Sequence, residues 1–155
     1  MAKTAQVTST ILMIRPVAFR MNEQTAVNNY YQQKITDLTA EEKQAKALQE
    51  FDEFVHKLRS IGIEVIVVND TLQPSSPDSI FPNNWVSFHD DGRVVLYPMF
   101  AVNRRYERRM DIIDLLSERG FEVNNVVDLT EMERKDVFLE GTGSLILDRQ
   151  NKITY

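Results

Sequence analysis

Polar side chains stand among large apolar ones near the middle of the chain, in the sequence PDSIFPNNWVSF. Asn83 and Asn84 directly follow Phe81 and Pro82, and Trp85 comes next. An amide that is buried without a hydrogen-bond partner costs about 1–3 kcal/mol, so each of these groups needs a partner. Two interpretations stay open. The amides cap a turn that enters a strand, as asparagine often does, or they are the polar groups of a binding site.

This stretch has a second copy 57 residues further along the chain. Residues 80–87 align with residues 137–144, with phenylalanine and serine at matching positions. Residues 58–65 also match residues 116–123, through the shared pattern Leu-x-x-x-Gly at a spacing of 58. Self-similarity at a fixed long period indicates repeated supersecondary units, none of which buries its apolar face alone. We therefore predict a unit that consists of a hairpin, a helix and a strand.

Hydrophobic spacing and end signals predict the first elements that would carry these motifs. Residues 10–14 and residues 63–68 read as buried strands, the second being rich in β-branched side chains. Between them, Thr39-Ala-Glu-Glu is a capping-box pattern that starts a helix. Gly62 is placed to end that helix. The polar stretch at residues 20–38 has no clear period, and we predict loop there with some helix.

The later elements follow the same signals. The Asp91-Gly92 pair predicts a hairpin turn. The remaining predictions are strands at residues 85–88, 93–97 and 122–127, a helix at 103–119 with Met110, Ile113 and Leu116 inward, and a third hairpin from residue 137 that turns at 149–152. A natural domain seldom ends inside a hairpin, because an unprotected strand edge pairs with other chains. We therefore expect residues 1–155 to be a single domain that is the front part of a longer protein, or one of two associating pieces.

Composition narrows the classes of function. The chain of 155 residues is 43% apolar and 26% charged, as in ordinary globular proteins. Its net charge of −5 argues against non-specific nucleic-acid binding. The absence of cysteine excludes disulfides, thiolate metal sites and a cysteine nucleophile within these residues. The two histidines, His56 and His89, are far apart in sequence, which argues against a metal centre. Neither a membrane span nor a signal peptide is evident, so the cytoplasm is the expected compartment.

Three motifs together resemble the guanidino-group-modifying superfamily of arginine deiminases, dimethylarginine dimethylaminohydrolases and amidinotransferases. They are Asp78-Ser-Ile-Phe-Pro-Asn-Asn84, Asn103-Arg-Arg105 and Phe138-Leu-Glu-Gly141, and they occur in this order across the chain. The citrulline-utilisation hydrolases are the most similar type. The resemblance implies a pentein fold, an α/β propeller of five ββαβ units around a pseudo-fivefold axis. Five units of about 58 residues would need roughly twice this chain, so two to three units are expected here.

The chemistry that this resemblance implies is nucleophilic. A cysteine thiolate attacks the central carbon of a guanidinium or similar group, ammonia or an amine leaves, and water or another amine takes over the group. A histidine moves the protons, and acidic residues hold the planar substrate through paired hydrogen bonds. No metal or organic cofactor is implied. Members carry the histidine in a fourth unit and the cysteine near the C-terminus, and His56 and His89 match neither position.

The resemblance assigns roles to four residues of this chain. Glu140 matches the acid that contacts the substrate head and supports the histidine, Arg104 an arginine that takes the substrate carboxylate, and Asp78 an acid near the amino end. Asn84 stands where the deiminases and the dimethylarginine hydrolases carry an aspartate, so a charge is lost. Either the substrate is less cationic, a ureido group for example, or another residue supplies the charge. Glu140 as an exposed residue before a turn, and Arg104 as a solvated one, are the structural alternatives. Of Asn83 and Asn84, we expect one to line the site, because neighbours on a strand face opposite sides.

Two classes of function remain from the sequence. The first is the N-terminal part of a hydrolase that acts on non-peptide carbon-nitrogen bonds of an arginine-like or citrulline-like small molecule. The second is a non-catalytic module that binds an arginine-like ligand or a protein. The expected partners are the small-molecule substrate and, at the open edge of the repeats, either a second copy of the chain or the missing C-terminal half.

Overall fold

The computed structural model describes residues 5–27, 29 and 37–155. These residues form two compact units. The first unit contains the described residues of Ser9–Phe81 together with Ala101–Tyr106. The second unit contains residues 5–8, Pro82–Phe100 and Glu107–Tyr155. The prediction of loop and some helix at residues 20–38 falls partly on residues 28 and 30–36, which lie outside the described residues.

The first unit is built on a parallel pair of strands joined by one helix. Strand β1 (Thr10–Arg15) pairs with β2 (Glu64–Asn69), and α1 (Ala40–Ser60) connects them. The buried apolar residues Ile14 and Val55, with two β-branched residues of β2, form the core. Both strands predicted from the sequence are confirmed to within one residue at each end.

Helix α1 begins where the capping box predicts. The Thr39 hydroxyl accepts from the backbone N–H of Glu42 over 3.2 Å, and the Glu42 carboxylate accepts from the Thr39 N–H over 2.8 Å. The Thr39 backbone N–H, and after it the Thr39 side chain, stabilise the Glu42 carboxylate and lower the pKa of Glu42 below its usual value. The capping box therefore sets the residue at which this 21-residue helix begins.

The second unit contains a three-stranded sheet. Strand β3 (Val86–Phe88) pairs antiparallel with β4 (Arg93–Leu96), and β4 pairs parallel with β5 (Asn125–Asp128). The hairpin turns at the predicted Asp91-Gly92, where Gly92 has a φ of +75°. Helix α2 (Met110–Glu118) lies between β4 and β5 in the chain. The buried side chains of this unit include Trp85, Val94, Leu96, Met99, Ile112, Ile113 and Leu116.

The helices α1 and α2 end in the same way. Gly62 and Gly120 both adopt a left-handed conformation, with φ of +88° and +90°. The residue after each glycine donates its N–H to the leucine four positions before the glycine, Ile63 to Leu58 and Phe121 to Leu116, both over 3.1 Å. Each helix then leads into a strand that pairs parallel with the strand before the helix.

The third predicted hairpin starts later in the chain than residue 137. A single helical turn, α3 (Gly141–Ser144), comes first, because the Gly-Thr-Gly sequence turns rather than extending. The short strands β6 (Leu147–Asp148) and β7 (Ile153–Thr154) then form the hairpin around the predicted turn.

The second predicted helix is shorter than the sequence pattern indicated. Val102–Glu107 forms a 3₁₀ helix, and α2 itself starts only at Met110. Met110 is therefore in the first turn and 46% exposed, while Ile113 and Leu116 face inward as predicted. Within the residues described, no helix is long and apolar enough to cross a membrane.

Candidate functional site

In the second unit, Glu140 and Asn84 lie in direct contact. The Asn84 side-chain amide donates to one carboxylate oxygen of Glu140 over 3.1 Å. The backbone N–H of Phe100 donates to the other oxygen, also over 3.1 Å. The carboxylate is thereby held by neutral donors on two different segments, and it is half-buried rather than exposed. The alternative of an exposed glutamate before a turn does not describe this residue.

Two glycines allow these segments to approach each other. A Cβ at Gly143 would lie 2.5 Å from the Asn84 side-chain nitrogen and 3.0 Å from its carbon. At Gly141, where φ is +39°, a Cβ would overlap the backbone oxygen of Asn83. The Glu-Gly-Thr-Gly motif and the Pro-Asn-Asn motif, related by the sequence repeat, therefore pack directly on each other.

Of the two neighbouring asparagines, Asn84 is the one that contacts Glu140. The two asparagines do not lie on opposite faces of a strand as predicted, because Pro82–Asn84 forms a 3₁₀ turn and the strand begins at Val86. The side chain of Asn83 is exposed, and its backbone carbonyl accepts from the Thr142 hydroxyl over 3.5 Å. Proline favours this turn because its fixed φ suits a helical start.

Two aromatic rings accompany the Glu140 segment. Phe100 and Phe138 meet edge to face, with ring centroids 5.3 Å apart and an interplanar angle of 87°. The backbone N–H of Phe100 donates to Glu140, and Phe138 precedes Glu140 by two residues. Since Phe100 is 45% exposed, the carboxylate has an accessible apolar neighbour.

In the first unit, Asp78 and Arg104 form a separate pair. The Arg104 Nε atom lies 3.8 Å from an Asp78 carboxylate oxygen. Arg104 is only 5% exposed, so the alternative of a solvated residue in the Arg-Arg-Tyr-Glu-Arg-Arg run does not describe it. Each of the two acidic predicted residues therefore has another predicted residue as a partner, Asp78 with Arg104 and Glu140 with Asn84.

Asn22 organises the surroundings of Asp78, and the sequence analysis missed it. Its amide nitrogen donates to the Asp78 carboxylate over 2.7 Å, while its oxygen accepts from the Asn103 amide over 2.8 Å. Thr25 donates its hydroxyl to the same Asp78 oxygen over 3.2 Å. Asn22 is fully buried, yet no spacing marks it, because its partners are 56 and 81 residues away in the sequence.

His89 is the other residue whose environment the sequence did not indicate. It lies beside the hairpin turn, yet it is half-buried, and its Nε2 atom lies 2.9 Å from the Ser87 hydroxyl. Burial lowers its pKa, and the charges of Arg149 and Arg93 lower it further. His56, on α1, is exposed. The described residues contain no cluster of three or more histidine, aspartate or glutamate side chains that could hold a metal ion.

Comparison with known proteins identifies similar families and folds. The profile of the eukaryotic N,N dimethylarginine dimethylhydrolases matches residues 15–155. A search of curated proteins gives no match. The N-terminal domain of ArgZ, a cyanobacterial arginine dihydrolase bound to its product, is 21% identical and superposes with a TM-score of 0.60, over 94% of this chain and 46% of its own. AgrE in complex with ornithine and NAD+ is 20% identical, with a TM-score of 0.60 over 95% of this chain and 19% of its own.

A substituted N-terminal domain of ArgZ, covalently bound to a reaction intermediate, is similar at 20% identity and a TM-score of 0.60, over 94% of this chain and 47% of its own. The chain thus spans less than half the length of each of these solved proteins. At these identities the likeness shows the fold, which is the mixed α/β class predicted from the sequence.

Proposed function

Because the chain belongs to the eukaryotic N,N dimethylarginine dimethylhydrolase family, we propose that it supplies substrate-binding residues to a hydrolase of guanidino or ureido compounds. The bond cleaved is a non-peptide carbon-nitrogen bond of an arginine-like or citrulline-like molecule. One observation carries the proposal, the carboxylate of Glu140 held between Asn84 and the Phe100 N–H.

Glu140 is suited to bind the planar head of such a substrate. A carboxylate has about four lone-pair sites, and the bonds from Asn84 and Phe100 direct its two oxygens. A guanidino or ureido N–H that donates to it forms a charge-assisted bond, roughly twice as strong as a neutral one. Acceptors fixed in this way orient the central carbon of the substrate toward a nucleophile. Such alignment of the reacting atoms raises the reaction rate.

Asn84 favours a substrate head with less positive charge. An aspartate at this position would place a second carboxylate beside Glu140, whereas the amide adds no charge and donates to Glu140 instead. Losing one ion pair in a shielded site costs on the order of 2–5 kcal/mol of binding to a guanidinium. A neutral ureido group loses no such ion pair, so the proposal favours ureido over guanidino ligands.

For the first unit we propose a role in recognising the amino-acid end of a ligand. Arg104 is the cation that would meet a carboxylate, and Asp78 the anion that would meet an amino group. The support is that Arg104 is buried beside Asp78 and that Asn22 and Thr25 fix the orientation of the Asp78 carboxylate. These two assignments stay predictions of the family resemblance.

The family reaction requires groups that these residues do not include. In the proposed mechanism a thiolate attacks the central carbon, an amine or ammonia leaves with a proton from a histidine, and water then releases the product from sulfur. The sequence contains no cysteine. The ArgZ domain captured with a covalent intermediate supports covalent chemistry on this fold. We infer that the cysteine and the catalytic histidine come from outside the 155 residues, and that the repeats are blades of a pentein propeller.

The experiment is calorimetric titration of the chain with arginine, citrulline and dimethylarginine. The Glu140→Gln variant keeps the size of the side chain but removes its charge, and we expect at least about a tenfold loss of affinity, the effect of roughly 1.4 kcal/mol. The matched control is Glu122→Gln, an exposed residue of the same unit, which should bind like the wild type.

Circular dichroism of both variants checks that the fold persists. Equal affinity of Glu140→Gln and the wild type would remove Glu140 from the site. Binding of none of the three ligands by a folded wild-type chain would favour the alternative of a protein-interaction module.

A further inference from the structure

Three side chains of the second unit form a continuous hydrogen-bonded chain. The Tyr97 hydroxyl oxygen lies 2.8 Å from the Ser87 hydroxyl oxygen, which lies 2.9 Å from Nε2 of His89. Ser87 and Tyr97 are buried, and His89 is half-buried. The reaction proposed above uses none of the three residues.

Tyr97 connects these side chains to the candidate site. A Cβ at Gly141 would lie 3.1 Å from Cδ2 of the Tyr97 ring, so the ring packs against the turn that follows Glu140. The backbone N–H of Tyr97 donates to the Trp85 carbonyl over 3.0 Å, and Trp85 directly follows Asn84. Tyr97 therefore contacts the turn beside Glu140 and the segment that continues from Asn84.

The protonation state of His89 determines which hydrogen bonds the hydroxyls of Ser87 and Tyr97 can form. In a neutral imidazole with its proton on Nδ1, Nε2 accepts from Ser87, and Ser87 accepts from Tyr97. A protonated imidazole donates from Nε2, so the Ser87 proton loses its acceptor unless it turns toward Tyr97, and in that case the Tyr97 proton loses its acceptor instead. In either arrangement one of the two buried hydroxyls is left with an unsatisfied proton, which is unfavourable.

The charged groups that face His89 come from three segments. Arg149 lies in the turn between β6 and β7 and Arg93 on β4, and both oppose a further positive charge. Asp91 and Asp90, in the hairpin turn, act in the opposite direction. Burial is the largest effect, and the balance lowers the pKa of His89, in agreement with the neutral form that the hydroxyls require.

We propose that His89, acting through Ser87 and Tyr97, is a positioning residue for the Glu140 turn, and that it holds the turn while its imidazole is neutral. Acidification is then expected to shift Tyr97 away from Gly141 and to weaken ligand binding at Glu140. The part that concerns ligand binding rests on the proposed function, and the coupling of His89 to the turn does not.

Trp85 provides a direct readout, since it is the single tryptophan and is 1% exposed. The experiment follows Trp85 fluorescence from about pH 8 to about pH 5, the range in which histidine titrates, and the His89 ring signals by NMR. A His56→Gln background leaves His89 as the single imidazole. We expect Trp85 fluorescence to change with the same midpoint as the His89 signals.

Three variants each break the series of hydrogen bonds from His89 through Ser87 to Tyr97. His89→Gln removes the titrating group, and Ser87→Ala and Tyr97→Phe remove one hydroxyl each while leaving His89 in place. Each should abolish the acid-dependent change of Trp85 fluorescence, whereas His56→Gln should retain it. Where His89→Gln does not fold, the two hydroxyl variants decide. A fluorescence change that persists in them, or that is absent from the wild type, would overturn the proposal.

Ligand titrations at both ends of the pH range separate this inference from the proposed function. A wild-type chain that binds no guanidino or ureido compound contradicts the proposed function, while the Trp85 titration still decides the coupling. Binding with the same pH dependence in the wild type and in His89→Gln contradicts the proposed effect of His89 on ligand binding and leaves the proposed function standing.

Discussion

The carboxylate of Glu140 and the amide of Asn84 form one hydrogen-bonded pair, so the charge of one depends on the chemistry of the other. With asparagine, the pair carries one negative charge and a hydrogen bond of 3.1 Å. With aspartate, two carboxylates would stand at the same distance, and repulsion would raise the pKa of one of them. Compared with an aspartate, the asparagine thus stabilises the folded chain and, on the proposed function, lowers the affinity for a guanidinium.

Asn84→Asp tests this account of selectivity. We expect the ratio of affinities for arginine over citrulline to rise at least about tenfold near neutral pH, since a second carboxylate restores an ion pair. The variant should also be less stable than the wild type at neutral pH and recover as the pH falls, because a raised carboxyl pKa in the folded state favours folding when the group is protonated. Calorimetry and urea unfolding measure the two effects, and an unchanged affinity ratio would contradict the account.

Protonation of His89 makes the wild-type chain less stable as the pH falls, the opposite of the effect expected for Asn84→Asp. Its folded pKa lies below the ordinary value of 6.5, so the unfolded chain takes up the proton at higher pH than the folded chain. The stability that neutral His89 contributes is therefore complete above pH 6.5 and is lost as the pH falls through its folded pKa.

We expect the free energy of unfolding to fall more steeply below pH 6.5 in the wild type than in His89→Gln. Urea unfolding at a series of pH values measures this difference. Parallel curves for the two proteins would show that His89 is not the group responsible.

The turn of Gly141–Ser144 is the element that brings the two motifs together. Gly143 has no special backbone conformation, and its lack of a side chain matters because Asn84 occupies the space. Gly120 is the reverse case, with a φ of +90° and open space around it. Substitution of Gly143 therefore tests the close approach of Asn84, and substitution of Gly120 tests backbone strain.

Gly143→Ala should displace the Asn84 side chain and break its bond to Glu140, lowering ligand affinity at least about tenfold, a loss of roughly 1.4 kcal/mol. Gly120→Ala should cost about 1 kcal/mol of stability through backbone strain and leave ligand affinity unchanged. Calorimetry and urea unfolding of both variants measure this. Equal affinities in the two variants would mean that the contact between Gly143 and Asn84 does not matter for binding.

Elements with local signals could be predicted from the sequence. The Thr39 capping box, the glycines that end α1 and α2, and the Asp-Gly turn each act through neighbours in the chain. The 3₁₀ helix Val102–Glu107 could not be predicted, because it contains the buried Arg104, which pairs with an acid far away in sequence. The same reason hides Asn22, while the repeat of two motifs did indicate the region of Asn84 and Glu140.

The two compact units each contain one parallel strand pair with its helix, and the likeness to ArgZ extends over 94% of the chain. The chain covers 46% of that ArgZ domain, and its own 155 residues lack cysteine. On the proposed thiolate mechanism, we expect the chain by itself not to cleave a ligand that it binds.

We predict that the purified 155-residue chain releases no ammonia or amine from arginine, citrulline or methylated arginines. A coupled ammonia assay and an assay for free methylamines measure this. Turnover by the pure chain would require a nucleophile other than cysteine and would overturn the proposed mechanism.

The most direct test is an NMR titration of the isotope-labelled chain with citrulline and with arginine, observing the Asn84 side-chain NH₂ and the Phe100 backbone N–H. Both groups donate to Glu140 in the structure. A ligand that binds the carboxylate should shift both signals in a saturable way, and Glu140→Gln should abolish the shifts. Signals that stay in place while other residues respond, or that respond equally in Glu140→Gln, would contradict the assignment of Glu140 and Asn84 as the ligand site.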